Sequence, residues 1–538
     1  MNMTLSDAEK TTEIPQNSPS DRRDSIDTAE TAVDIEHVPV QDDPRSWSWL
    51  RKHFSLFLIS GAAMIAGFAG TIQNPAVADM EEQLPATSEQ FSLSISLYIL
   101  VQGLMPLVWC AISEIKGRKM IYLVSLAGSL VSSIAVAVSR RIELVIAFRS
   151  IQAAGLSAVI SIGAATLADM FEPAERGTKM GVYYMAPLLG PALGPIIGGA
   201  LTSGLGWRSI FWFLTIVAGA IWMAFLLFFR DTFRKERSLT YQTVLKQHAI
   251  ARAKNDIGHE AALPRTTAPA STPNLHGDVE KGKEAMGKED ADALAVPAAQ
   301  IELTLRDVNL ISPLLAVVRR INNLLILTAS GLMYALTYMI NYTGARTLSN
   351  DYHYDALMIG VITIAYGLGC VAGSILGGRW SDYKLSQLKK ANGGIGYPEM
   401  RLKSTTIGLI IFPPSVVGFG WACREHTHVA VLCVLLFVAG FFTIWVYSST
   451  LAYVVDANKG RSATAVATNS AFRGTLAFIA TEIAVPMQDG IGDGWLYTFW
   501  GFLMALSGLL ILLVSWKGRD WRIRAEEREA KATGMESH

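Results

Sequence analysis

The chain has 538 residues, of which 51% are hydrophobic and only 17% charged, and its mean hydropathy is +0.31. Soluble proteins carry about a quarter charged residues, so this composition excludes an ordinary soluble domain. Lys+Arg and Asp+Glu number 46 each, and a formal net charge of zero leaves no global field to attract a nucleic-acid partner.

Residues 1–46 hold eleven Asp/Glu against four Lys/Arg and no apolar segment, so they read as a disordered tail rather than a secretory signal. Within the tail, Arg22-Arg23-Asp24-Ser25 reads either as a kinase site or as chance basic residues. Apolar segments then fall at about 54–78, 91–113, 120–139, 142–168, 180–203 and 208–229. A second set falls at about 322–348, 356–378, 403–422, 428–454, 462–486 and 495–516. Each is close to the roughly 20 residues needed to cross a hydrocarbon core of about 30 Å. The spacing therefore predicts an all-α membrane protein with twelve transmembrane helices in two six-helix bundles.

Between the sets, residues 231–320 are charged and rich in Ala and Pro. They read as a linker, with a short amphipathic helix near Leu303–Val318 lying on the membrane. The expected divisions are a tail over 1–50, a first half over 51–230, the linker over 231–320, a second half over 321–517 and a tail over 518–538. Lys116, Arg118 and Lys119 follow span 2, and Arg379, Lys384, Lys389, Lys390, Arg401 and Lys403 lie between spans 8 and 9. Lys517, Arg519, Arg522 and Arg524 follow span 12. All share a side with Arg51 and Lys52, which puts both termini in the cytoplasm by the positive-inside rule; Arg140 and Arg141 are the exception. The four cysteines lie in or beside apolar stretches without zinc-ligand spacing and read as packing thiols.

The connections carry motifs. Cys110 through Glu114, Lys116, Gly117, Arg118 and Lys119 joins spans 2 and 3, and a weaker copy, Gly378-Arg379-Trp380-Ser381-Asp382, follows span 8. In span 4, Arg149 and Gln152 precede Gly155; in span 5 stands Gly190-Pro191-Ala192-Leu193-Gly194-Pro195 followed by Gly198-Gly199. Gly206-Trp207-Arg208 opens span 6, and the second half has Tyr453 with Asp456 and Asn469 with Arg473. Small residues at the connections let helices approach closely, and glycines four apart give span 5 a flat face.

These motifs resemble those of the major facilitator superfamily: G-x-x-x-D-R/K-x-G-R-K after span 2 (here with Cys110, Glu114 and Ile115 at variant positions), R-x-x-Q-G-x-G in span 4 and the antiporter G-P-x-x-G-G in span 5. The chain is most similar to the fungal twelve-span drug:proton antiporter family, and around 456–474 it looks most like the organic-acid branch with citrate exporters. The resemblance implies alternating access and proton coupling. It also implies a gating role for Glu114, Gly117, Arg118, Lys119, Gly190, Pro191, Gly194, Pro195, Gly198, Gly199 and Asp382, with acid–base pairs forming a cytoplasmic latch that breaks as the halves rock. The plain alternative for the loop motif is a positive-inside turn.

An ionisable residue within a span costs at least ~2.5 kcal/mol at the bilayer centre, so it faces a polar cavity or a partner. Three arginines stand in spans: Arg149, Arg346 and Arg473. Arg149 shares a helix face with Gln152, and Arg473 with Asn469. Carboxylates are sparse; Glu482 lies within a span and Asp456 at a span end, and these are the proton-coupling candidates. Because a guanidinium grips carboxylates in a planar fork, the inventory favours a small organic anion such as a di- or tricarboxylate. The alternative is that the arginines are structural, with Arg346 snorkelling to the outer interface. Tyr334, Tyr338 and Tyr342 form a stripe on span 7 that, with Trp445 and Tyr447, lines either the cavity or a packing face.

The leading expectation is secondary export of a citrate-like anion; the alternative is a multidrug:proton antiporter of broad specificity. No G-x-x-x-x-G-K-[ST] loop or nucleophile–base constellation is present, so no enzyme activity, cofactor or metal is expected. The expected partners are a small-molecule substrate and the lipid bilayer, and the expected state is a monomer in the plasma membrane.

Overall fold

The structure, a computed structural model, describes residues 40, 42–84, 86–234, 241, 311–458 and 461–532. Most of the expected N-terminal tail, Ser25 and most of the 231–320 linker lie outside the described residues; the end of the tail is described and forms a 3-10 turn at Pro44–Ser46. Among the described residues, all regular structure is helical.

Span 1 is Trp49–Thr71, followed by a short helix Val77–Gln83; spans 2 to 6 are Ser88–Lys116, Arg118–Val138, Ile142–Met170, Pro173–Leu205 and Arg208–Phe228. After a short helix Ile311–Val318 come span 7 (Ile321–Asn350), span 8 (Ala356–Ala391), span 9 (Thr406–Arg424) and span 10 (Val429–Ala457). The last helix, Ser462–Ala532, is 71 residues long and breaks at Gly492 (φ 72°, ψ 165°), a conformation a glycine adopts without steric cost. Eleven helices are long and apolar enough to cross a membrane, and the break divides the last into spans 11 and 12. Twelve spans result.

Caps set some of the starts. Thr87 and Gln90 form a reciprocal capping box at span 2, and Asp355 accepts the Met358 N–H at span 8. Several helices outrun their apolar windows. Span 8 has 36 residues, about 54 Å at 1.5 Å per residue, and so projects beyond a ~30 Å core into its basic end. Of the expected surface helix near 303–318, Ile311–Val318 is described: Val317 is buried against the second half and Leu315 is exposed.

The packing repeats between halves. Span 1 packs on span 5, span 2 on span 4 and span 3 on span 6; span 7 likewise packs on span 11, span 8 on span 10 and span 9 on span 12. Across the halves, span 2 meets span 11 and span 5 meets span 8. With apolar lipid on all sides, such contacts depend on close van der Waals fit and small residues. Gly103 faces Gly474 where spans 2 and 11 cross, and Gly199 faces the backbone of Ala356.

Those contacts also fix the state of the cleft. Gly360, Gly367 and Gly378 lie on one face of span 8, being seven and eleven residues apart. A Cβ on Gly360 or Gly367 would strike span 5, whereas one on Gly378 would meet nothing. Ser92 donates to the Thr481 carbonyl (2.8 Å), and Ser96 donates to Glu482, both near the end remote from the termini. The halves are thus closed away from the termini and parted toward them.

Candidate functional site

Arg149 is 1% exposed and stands seven residues into span 4 from the end remote from the termini. Its Nη1 donates to the Ala69 carbonyl of span 1 (2.9 Å) and to Gln152 Oε1 (2.8 Å), and Gln152 Nε2 donates to Ser133 Oγ of span 3 (2.6 Å). The guanidinium carbon lies 4.1 Å from the centre of the Tyr98 ring and 5.8 Å from that of Phe211. Arg149 and Gln152 therefore meet as their shared face predicts, and together they tie spans 1, 3 and 4. Tyr98 of span 2 covers the guanidinium.

Arg473 is in a different setting. It is half-buried, its Nη1 donates to Tyr447 Oη (2.6 Å), and its guanidinium carbon lies 3.8 Å from the Tyr334 ring and 4.4 Å from the Tyr447 ring. Its Nε, like the Oδ1 of buried Asn469 one turn away, has no hydrogen-bond partner. Tyr334 Oη donates to Tyr338 Oη (3.2 Å), and a Cβ on Gly70 of span 1 would lie 3.2 Å from Tyr338 Oη and 3.9 Å from the Tyr98 ring. A row of tyrosines thus runs from Arg149 in one half to Arg473 in the other. Among the described residues, neither guanidinium has a carboxylate partner. Planar cations over ring faces are stabilised by the ring quadrupole, by roughly 2 kcal/mol or more where desolvated.

The other expected residues lie elsewhere. Arg346 stands near the end of span 7 remote from the termini, paired with Asp489 (2.6 Å) and Gln488 (3.1 Å). It lines a cavity of about 200 Å³ together with Thr347, Asp351 and Asp493. Tyr342 is buried in that same region of span 7, and Trp445 packs against Trp380 and Gly377 rather than beside Arg473.

At the side of the termini, the acid–base pairs stay within each half. Gly117 (φ 85°) turns the chain from span 2 into span 3, and a side chain there would strike the Asp231 carboxylate, which accepts the Arg118 backbone N–H at 3.0 Å. Arg118 pairs with Asp169 of span 4 (3.3 Å) and donates to Ser113 Oγ, and Lys119 donates to the Leu226 carbonyl of span 6 (3.2 Å). Glu114 stands one turn before them. The second half repeats the arrangement: Arg401 joins Asp382 (3.1 Å) and Asp456 (2.7 Å). Among the described residues these pairs form two clusters, each bracing three helix ends of its own half, and none of them spans the halves as the expected latch does. Asp169 and Arg401, the partners that complete them, went unassigned because nothing local in the sequence pairs residues fifty positions apart.

The span 5 motif has two faces. Gly190, Gly194 and Gly198 lie against Gly67, Thr71 and Ile72 of span 1, with Thr71 Oγ1 donating to the Gly190 carbonyl (3.0 Å). Pro195 and Gly199 instead face Gly360 and Ala356 of span 8, across the halves; Pro191 lies on the helix between them. Glu482 in span 11 meets Ser96 of span 2, also across the halves. Tyr98 and Ser96 carry no motif, and only their spatial partners, Arg149 and Glu482, mark them.

Two helix bundles related by a repeated packing pattern, parted on one side and bridged by a polar row, define a membrane transporter. The family model described as Major Facilitator Superfamily matches residues 59–382, and the chain belongs to that superfamily. The chain is similar to Citrate exporter 1 of Aspergillus niger, 28% identical over 506 residues that cover 90% of this chain and 89% of the relative. It is also similar to the MFS antiporter QDR3 of Candida albicans, 25% identical over 571 residues covering 90% and 80%. The solved structure of a D-xylose-proton symporter shares the fold, with a TM-score of 0.58 at 13% identity, covering 87% of this chain and 98% of that one.

Proposed function

We propose that the protein exports a small organic anion, a citrate-like di- or tricarboxylate, by alternating access linked to protons. The observation that carries the reading is Arg473: a guanidinium at the open cleft, sandwiched by two tyrosines, with an unpartnered Nε and no carboxylate beside it. A carboxylate would complete its fork with charge-assisted hydrogen bonds. Asn469 and the Tyr334 and Tyr338 hydroxyls supply further polar contacts. Arg149 and Gln152 serve as a buried positive anchor below the tyrosine row, and Arg346 acts at the remote end, where an anion leaves. A relative named as a citrate exporter agrees with this substrate class.

The second reading, a multidrug:proton antiporter, is favoured by the ring faces of Tyr98, Tyr334, Tyr338 and Tyr447, and by the relative named as an MFS antiporter. Glu482 is the proposed proton carrier, because its hydrogen bond with Ser96 joins the halves on the closed side and protonation changes what the pair can exchange. Asp456, braced by Arg401, is the second candidate. The braces built on Glu114, Gly117, Arg118, Lys119 and Asp382 keep each half rigid; Gly190, Gly194 and Gly198 seat span 5 on span 1, and Pro195 and Gly199, against span 8, form the surface on which the halves pivot. The transporter acts as a monomer of two halves, 51–230 and 321–517, with both termini and the 231–320 linker in the cytoplasm, in the plasma membrane. Radiolabelled citrate and lipophilic cations presented to vesicles, with and without a proton gradient, discriminate the two readings: citrate movement alone supports the first, drug movement alone the second.

A further inference from the structure

A cationic site lies apart from the transport cleft, at the seam where span 1 begins and span 6 ends. Arg51 stacks on Trp47, with 3.9 Å from guanidinium carbon to ring centre, and its Nη2 is buried with no hydrogen-bond partner. Its electrostatic neighbours are Arg230, Arg234 and Asp42. Asp42 is already engaged: it pairs with Arg234 (3.3 Å) and accepts from Trp47 Nε1 (3.2 Å). Arg230 is exposed, and among the described residues it has no carboxylate within ion-pair distance. Arg51 and Arg230 are thus electrostatic neighbours, and the acid near Arg51 is spent on a third arginine.

Directly toward the membrane from this pair lies an apolar floor. Phe54, one turn after Arg51, and Phe228, two residues before Arg230, meet edge to face with centroids 5.7 Å apart. Both are exposed on the outer surface of the bundle, at 41% and 62%, and Trp49 and Leu50 are exposed beside them. Cationic groups that adjoin an outward-facing aromatic pair along the two spans match a molecule whose anionic head sits above an apolar tail. A soluble anion would engage the arginines and leave the aromatic floor uncovered. A neutral lipid would cover the floor and leave the arginines repelling one another.

We propose that this seam binds an anionic phospholipid, its phosphate held between Arg51 and Arg230 and an acyl chain lying over Phe54 and Phe228. Each basic group near an anionic headgroup strengthens binding, and two together amount to roughly 30-fold preference over a zwitterionic lipid. Binding there joins the first and last spans of one half.

The test is native mass spectrometry of the full-length protein, purified in detergent and titrated with phosphatidylserine or phosphatidylcholine. Phosphatidylserine is expected to be retained roughly 30-fold more strongly by the wild type. The Arg51→Gln/Arg230→Gln double variant is expected to lose that preference, and Arg51→Lys with Arg230→Lys to keep most of it. Arg230→Glu, a change at an exposed position that leaves the fold in place, gives the same loss should the double variant not fold. Equal retention of the two lipids by the wild type, or an unchanged preference in Arg230→Glu, overturns the proposal. Displacement of phosphatidylserine by millimolar inorganic phosphate also overturns it, since the site would then be one for a free anion.

Discussion

Replacing Arg473 by Ala removes a half-buried guanidinium whose Nε has no hydrogen-bond partner. A substrate carboxylate in a fork geometry makes two charge-assisted hydrogen bonds with it, each contributing about 1.5 kcal/mol at the low end of the range for charged groups. Losing both costs about 3 kcal/mol, roughly a 100-fold weakening of substrate affinity. Arg473 makes a single hydrogen bond within the protein, to Tyr447, and stacks on two rings, so its removal should lower the melting temperature less than removal of Arg149 does. Arg473→Lys keeps the charge and loses the fork, so it should fall between the two, near a tenfold loss. Arg149→Ala is the contrasting change: it strips donors from the Ala69 carbonyl and Gln152 and leaves a hole beneath Tyr98, costing roughly 2–4 kcal/mol of stability. The assay is initial-rate transport of labelled citrate into vesicles over a concentration series, paired with melting temperature in detergent and surface abundance. Wild-type KM and rate in Arg473→Ala at normal abundance would refute the reasoning.

Glu482→Gln keeps the Ser96 contact but cannot release a proton, so citrate movement should persist while its response to a proton gradient disappears; an unchanged gradient response assigns coupling elsewhere. Gly199→Leu sets a branched side chain against the Ala356 backbone, wedging the closed side apart, and should cut turnover at least tenfold while accessibility probes find the remote end open. Arg401→Ala releases both Asp382 and Asp456 and should lower the melting temperature by a few degrees, which differential scanning fluorimetry reads. Beyond span 12, Glu529 clasps Arg320 (2.9 Å) and Arg461 (2.6 Å), and hydrogen bonds from Arg320 above all hold its carboxyl below the ordinary value of 4.5. A depressed carboxylate stabilises the fold above its unfolded pKa and loses that contribution as pH falls through the folded value. Glu529→Gln should therefore melt earlier than the wild type at pH 7, with the gap narrowing as the pH is lowered past the folded value of Glu529.

The twelve spans were legible because the bilayer demands apolar runs of fixed length, which leave a period no soluble helix needs. Helix ends were not, since spans 5, 8 and 12 continue into polar residues where hydropathy gives no signal. Arg149 and Arg473 looked alike as arginines paired with an amide on one helix face. They differ because spans 1, 2 and 3 enclose Arg149, while Arg473 meets only tyrosines at an open edge, and enclosure depends on which spans become neighbours. Asn469 shares the face of Arg473 without bonding to it in this state. Arg346 and Asp489 both lie at the remote ends of their spans, a depth the sequence gives, but they pair only because spans 7 and 11 pack together. Ser96 gave no sign at all, because its partner lies 386 residues away.

The central claim is that an anion meets Arg473 in a cleft shared by two halves and leaves by alternating access. Exchange of labelled citrate across vesicles reconstituted with the wild type or Arg473→Ala, with and without an imposed proton gradient, tests it most directly. Gradient-stimulated citrate movement in the wild type, reduced roughly 100-fold in affinity by the substitution, is the predicted result. Movement of lipophilic cations without any citrate flux, or citrate flux indifferent to Arg473, would contradict it.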